Sequence, residues 1–168
     1  STDNVRGFWE NKRFVDLHER TMSELGISWD DPRPMPYGWR SSEIYARRLE
    51  ELEDGISVEF SGDPYWVFKD PRVCRLLPLW MSALSNLNGR QTYILTVRHP
   101  LEVASSLNAR NGWGISFGEL LWLRYVFDAA ANTDGATRTV VLYDELLADP
   151  QKELSRILED LSISLPSD

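Results

Sequence analysis

Only one cysteine, Cys74, occurs in 168 residues. An internal disulfide is thereby excluded, as is a zinc site built on several thiolates. As a lone thiol, Cys74 reads as a small buried residue rather than a nucleophile. Histidine is nearly as scarce: His18 and His99 are far apart in sequence, which gives a metal site little to stand on. Net positive charge is missing too. The balance is −8 at neutral pH, whereas a duplex binder needs a basic surface to displace counterions, so general nucleic-acid binding is excluded. One small, locally positive nucleotide site remains compatible with that balance. No apolar run reaches membrane-spanning length, and no basic-then-apolar leader is seen. The expectation is a soluble, cytoplasmic chain without a transmembrane segment. A glycine-rich phosphate loop is also lacking: Gly112-Trp113-Gly114 and Gly118 follow no strand and have no Lys-Ser/Thr pair.

What is present describes a folded domain. The hydrophobic fraction is 42% and the aromatic fraction 11%, with seven tryptophans, enough to build a core at this length. Residues 8–25 space Phe14, Leu17, Met22 and Leu25 as a helix does, with Gly26 as a stop. Residues 26–40, rich in proline, glycine and tryptophan, read as an irregular loop. A helix is expected from Ser41 to about Glu53, capped by Ser41 or Ser42. Tyr65-Trp66-Val67-Phe68 reads as a short strand ending in Lys69-Asp70-Pro71-Arg72, followed by a helix over Val73–Leu84. A strand at 92–97, helices after Pro100 and over 116–131, a strand at 139–143 and one last helix within Asp144–Leu161 complete the order. Such alternation implies βαβ units and a mainly parallel sheet flanked by helices, an α/β fold.

The most informative stretch runs from Tyr93 to Leu107. An apolar strand ends in Arg98, Pro100 suits the first turn of a helix, and that helix carries Ser105 and Ser106. A strand delivering a cation to the sheet edge, followed by a helix N-terminus, is a way to bind an anion. The arginine fork suits phosphate, and Ser106 lies about two helical turns beyond it. The plainer reading is a strand–helix junction whose arginine pairs with a neighbouring carboxylate.

Five stretches in order carry a resemblance: Gly7-Phe8-Trp9-Glu10, Lys69-Asp70-Pro71-Arg72, Val97-Arg98-His99-Pro100 through Ser106, Trp122-Leu123-Arg124-Tyr125, and Tyr143 through Pro150. The chain resembles the sulfotransferases that use 3′-phosphoadenosine 5′-phosphosulfate (PAPS), in particular bacterial relatives acting on carbohydrates, lipids or small metabolites. The resemblance implies the P-loop-NTPase-like sulfotransferase fold. It implies Arg98 and Ser106 as ligands of the 3′-phosphate, with Ser105 the alternative if the helix register differs. Lys69 and Arg72 fall where the family places basic groups; Lys69 would stabilise charge on the transferring group, and Arg72 would bind phosphate, sulfate or an acidic acceptor. The family uses His or Glu as base, which implies Glu10 first and His18 second. For Glu10 the plainer role is a carboxylate complementing a helix dipole, and for His18 an ordinary place in an amphipathic helix. Asp70 reads as a cap or the partner of an arginine, and Asp144 as a cap of the last helix. His99 is given no catalytic role.

The family opens with a strand and a loop holding the 5′-phosphosulfate, and no such loop occurs here. A sheet without that strand has an open edge. The expectation is therefore one sulfotransferase-like domain over 1–168, incomplete at its N-terminus. The implied reaction moves a sulfuryl group from PAPS to a hydroxyl or amine of a small-molecule, lipid or carbohydrate acceptor, without a metal. Two rivals stay open: a non-catalytic module binding a nucleotide or partner, and a metal-dependent small-molecule kinase. Trp29, Trp39 and Trp113 are candidates for stacking on an acceptor or for ordinary packing.

Overall fold

Helix α1, Lys12–Glu24, begins where Asn11 offers its side-chain oxygen to the backbone N–H of Arg13 at 2.9 Å. It ends before Gly26, whose φ of 71° lies in the left-handed region that glycine enters without strain. This computed structural model describes residues 10–62 and 65–164, so Gly7, Phe8 and Trp9 of the first resembling stretch lie outside the described residues. The chain divides after Arg90 into two compact units.

In the first unit, α1 is followed by the expected irregular loop and a 3-10 turn at Trp39–Ser41. Arg75, fully buried, pins that loop: its guanidinium donates to the carbonyls of Asp31 at 2.6 Å and Arg33 at 2.5 Å. Helix α2, Glu43–Glu59, is capped by Ser42, whose Oγ accepts from the Tyr45 N–H at 3.1 Å. It runs past the Glu53 stop expected from sequence and through Gly55, where a Cβ would stand 3.0 Å from the Phe14 ring. Glycine at that point costs helix propensity but admits the neighbour. Helix α3, Val73–Asn86, contains Pro78, and Cys74 is half-buried on it. Phe14, Leu17, Leu52, Leu76, Leu79 and Trp80 form the buried interior.

The strand expected at Tyr65–Phe68 is absent: residues 65–70 have no regular structure. Tyr65 and Val67 are exposed, whereas Trp66 and Phe68 turn inward. Trp66 stacks on Phe60 at 4.0 Å between centroids and Phe68 on Trp80 at 4.5 Å. Ring packing against helices, rather than a ladder of backbone hydrogen bonds, holds the segment.

The second unit holds the sheet. Strands β1, Tyr93–Val97, and β2, Arg138–Leu142, pair in parallel with Tyr93 opposite Arg138 and Val97 opposite Leu142. Helices α4, Pro100–Asn111, and α5, Ile115–Asn132, make the crossover between them. Val141 is buried against Ile157 and Leu161. The last helix expected from sequence is two: α6, Tyr143–Ala148, and α7, Pro150–Asp160. Proline keeps the residue before it out of helical geometry, and Asp149 adopts φ −149° and ψ 84°. Asp149 is accordingly the cap of α7, accepting from the Lys152 N–H at 3.1 Å, whereas Asp144 lies in the first turn of α6. The protein is thus mixed α/β, mostly helical, with a small two-stranded parallel sheet among the described residues. Among those residues no helix is long and apolar enough to cross a membrane.

Candidate functional site

The first unit gathers four of the residues singled out from sequence into one charged cluster. Lys69 donates to Glu10 at 2.8 Å, and Arg72 lies 3.8 Å from the other Glu10 oxygen. Arg72 also binds Glu19 at 2.8 Å and Asp70 at 3.0 Å. Glu10 is largely buried while Lys69 stays mostly exposed. Three carboxylates therefore face two cations.

Asp70 joins this cluster to the core. Its Oδ1 accepts from the backbone N–H of Arg72 at 2.9 Å as well as from the guanidinium. Its Oδ2 stands 2.8 Å from His18 Nδ1, and on the far side of the imidazole Trp80 Nε1 lies 2.8 Å from His18 Nε2. An indole nitrogen only donates, so Nε2 accepts and the His18 proton sits on Nδ1, facing Asp70. Both side chains of the His18–Asp70 pair are wholly buried. Burial alone would raise the Asp70 pKa; the hydrogen bond from His18, with the backbone N–H and charge of Arg72, outweighs it and holds the carboxyl below its ordinary value. His18 has no lone pair left for a substrate proton. Its role as a catalytic base, the second choice from sequence, does not fit this geometry; it is a satisfied core histidine.

The second unit holds the other group. Arg98 follows β1 directly and precedes Pro100 at the start of α4. Trp122 Nε1 donates to the Arg98 carbonyl at 3.0 Å, which fixes the backbone there. The guanidinium lies 4.8 Å from the centre of the Tyr143 ring, a cation–π contact. Its Nε donates to Glu102 at 2.7 Å. At the helix N-terminus, His99 Nδ1 accepts from the Leu101 N–H at 3.3 Å. Ser105 and Ser106 are both exposed. Ser105 and Ser106, three and four residues beyond Glu102, both neighbour it on the helix. Helix α4 is set by Ala104, fully buried, against Gly118 of α5, where a Cβ would stand 2.7 Å from the Ala104 Cα.

Sequence reasoning missed Glu19, Trp80, Tyr143 and Glu102 as members of these groups. Only Glu102 was signalled locally, by its spacing of four from Arg98. Trp39 and Tyr45 meet edge to face at 5.2 Å, as do Trp113 and Phe117 at 5.3 Å, so these two tryptophans have packing partners within the protein. Among the described residues no group of three or more His, Cys, Asp or Glu side chains is arranged to hold a metal ion. Comparison with family models, with curated proteins and with solved structures finds no match.

Proposed function

We propose that this protein is a PAPS-dependent sulfotransferase, transferring a sulfuryl group to a hydroxyl or amine of a small-molecule, lipid or carbohydrate acceptor. The observation that carries the reading is the junction of β1 and α4. Arg98 leaves a parallel strand at its carboxyl end, where ligands of such sheets bind. It enters a helix opened by proline, with Ser106 two turns along on the side that Arg98 reaches through Glu102. Ser106 is the second 3′-phosphate ligand of this reading, with Ser105 the alternative.

In the reaction the acceptor oxygen or nitrogen attacks sulfur, and the bond from sulfur to the bridging phosphate oxygen breaks. The products are the sulfated acceptor and 3′-phosphoadenosine 5′-phosphate (PAP), and a base takes the acceptor proton. Positioning and fixed charge supply most of such catalysis. Glu10 is the base that remains once His18 is assigned to the core. Its Lys69 partner is the cation available to charge developing on the transferring group, and Arg72 steadies both through Glu10 and Asp70.

A second reading, a non-catalytic nucleotide- or partner-binding module, is favoured by one observation: Glu10, Lys69 and Arg72 neutralise one another. Turnover separates the two. Incubation with sulfur-labelled PAPS and a panel of hydroxyl and amine acceptors is expected to release PAP and label an acceptor, unaffected by a chelator. Glu10→Gln should lower the rate at least a hundredfold and leave PAP affinity within twofold. PAP binding without label transfer would move the assignment to the binding module; absence of PAP binding beside chelator-sensitive phosphoryl transfer from a nucleoside triphosphate would move it to a kinase-like enzyme.

A further inference from the structure

Helix α5 carries an apolar seam on its open side. Its other side is spent on α4 and the interior: Gly118 meets Ala104, and Leu121 is buried. Exposed along the open side are Ser116, Leu120, Leu123, Phe127 and Ala130. Their spacing of four, three, four and three residues is the 3.5-residue repeat of a coiled-coil seam. Leu120, Leu123 and Phe127 are 49%, 55% and 61% exposed. They follow one another over about two helical turns. Contiguous apolar surface of this kind, as opposed to single exposed side chains, marks a place of association.

Charge beside the seam selects the occupant. In the heptad these residues set, Leu120 and Phe127 take the a positions, and Ser116, Leu123 and Ala130 the d positions. Glu119 is then a g residue and Arg124 the e residue five places on. Those two positions meet across a parallel two-stranded seam, where opposite charges fix partner and orientation. Arg124 is held at the seam's edge by Asp128 at 3.1 Å, its guanidinium carbon 5.8 Å from the centre of the Phe127 ring. A parallel copy of the same helix offers the opposite charge at both flanks. Antiparallel pairing about Leu123 would instead set Arg124 against its own counterpart.

We propose that α5 is a dimerisation helix, through which two copies of this protein pair in parallel. Leu120, Leu123 and Phe127 each meet their own counterpart, and Glu119 of each copy pairs with the partner's Arg124. Such a contact is isologous and closes at two copies. Two heptads bury little beside a standard interface, so the association is weak and reversible. It does not depend on the nucleotide reading of the β1–α4 junction.

Sedimentation equilibrium of the full chain across the micromolar range tests this, with circular dichroism to establish that each variant is folded. The wild type is expected to pass from monomer to dimer as concentration rises. Leu123→Glu, which puts a charge at the centre of the seam, is expected to stay monomeric. Orientation is read by mild oxidation of Ser116→Cys in a Cys74→Ser background, with Cys74→Ser alone as control. A parallel seam brings the two 116 positions together and gives a disulfide-linked dimer. An antiparallel one holds them roughly 20 Å apart and gives none. A wild type that stays monomeric overturns the proposal and leaves the seam to a different protein. A folded Leu123→Glu that dimerises like the wild type also overturns it. Dimerisation that Leu123→Glu abolishes, without the Ser116→Cys crosslink, overturns the parallel arrangement.

Discussion

His18 and Asp70 show how far one side chain's chemistry fixes its neighbours. Because Trp80 can only donate, Nε2 must accept and the imidazole presents Nδ1–H to the carboxylate. Trp80→Phe removes that donor and leaves Nε2 buried without a partner, at an expected cost of about 1–3 kcal/mol in urea unfolding. A cost below 0.5 kcal/mol would contradict the hydrogen bond. Asp70 is held below its ordinary pKa in the folded protein. The stability this contributes is fully present above the unfolded value, about 3.9, and is lost as pH falls through the lower folded value. Asp70→Asn should therefore be less stable than wild type at neutral pH, and the gap should close as the medium is taken below about pH 4. A gap that is constant from pH 7 to pH 3 would show that the charge of Asp70 is not what matters.

At the scale of elements, the contact of α4 with α5 decides where Arg98 and Ser106 sit. Gly118 is needed because of Ala104, not because of its backbone: any Cβ at 118 would stand 2.7 Å from the Ala104 Cα. Gly118→Ala is expected to lower stability by about 1–3 kcal/mol through overpacking, in spite of alanine's better helix propensity. A variant as stable as wild type in thermal melts would refute the close approach. The same contrast explains what the sequence made legible. Helices α1, α3, α4 and α5 and strands β1 and β2 follow from periodicity and caps, all local signals. Residues 65–68 carry the apolar run of a buried strand, yet Trp66 and Phe68 stack on Phe60 at the end of α2 and Trp80 of α3, and no local pattern encodes that. The division of the last helix was legible in Asp149-Pro150, since proline restricts the residue before it. Of the site residues, Lys69, Arg72 and Glu10 come together as charged groups of opposite sign, whereas the buried engagement of His18 depends on Trp80, 62 positions away.

For the whole molecule, the net charge of −8 argues for local rather than global attraction of an anionic ligand. Duplex DNA should not be retarded by the protein at physiological salt, because there is no basic surface from which to release counterions. Mobility shifts at micromolar protein would contradict this. On the proposed reading, nucleotide binding depends on the Arg98 fork rather than on the field of the molecule.

That dependence makes the most direct measurement a titration of 3′-phosphoadenosine 5′-phosphate into the wild-type protein and Arg98→Ala, followed calorimetrically. The account predicts saturable binding to the wild type and at least tenfold weaker binding to the variant, a difference of about 1.4 kcal/mol or more. Equal affinity in the two folded proteins, or no binding to the wild type, would contradict the assignment of the β1–α4 junction as the 3′-phosphate site.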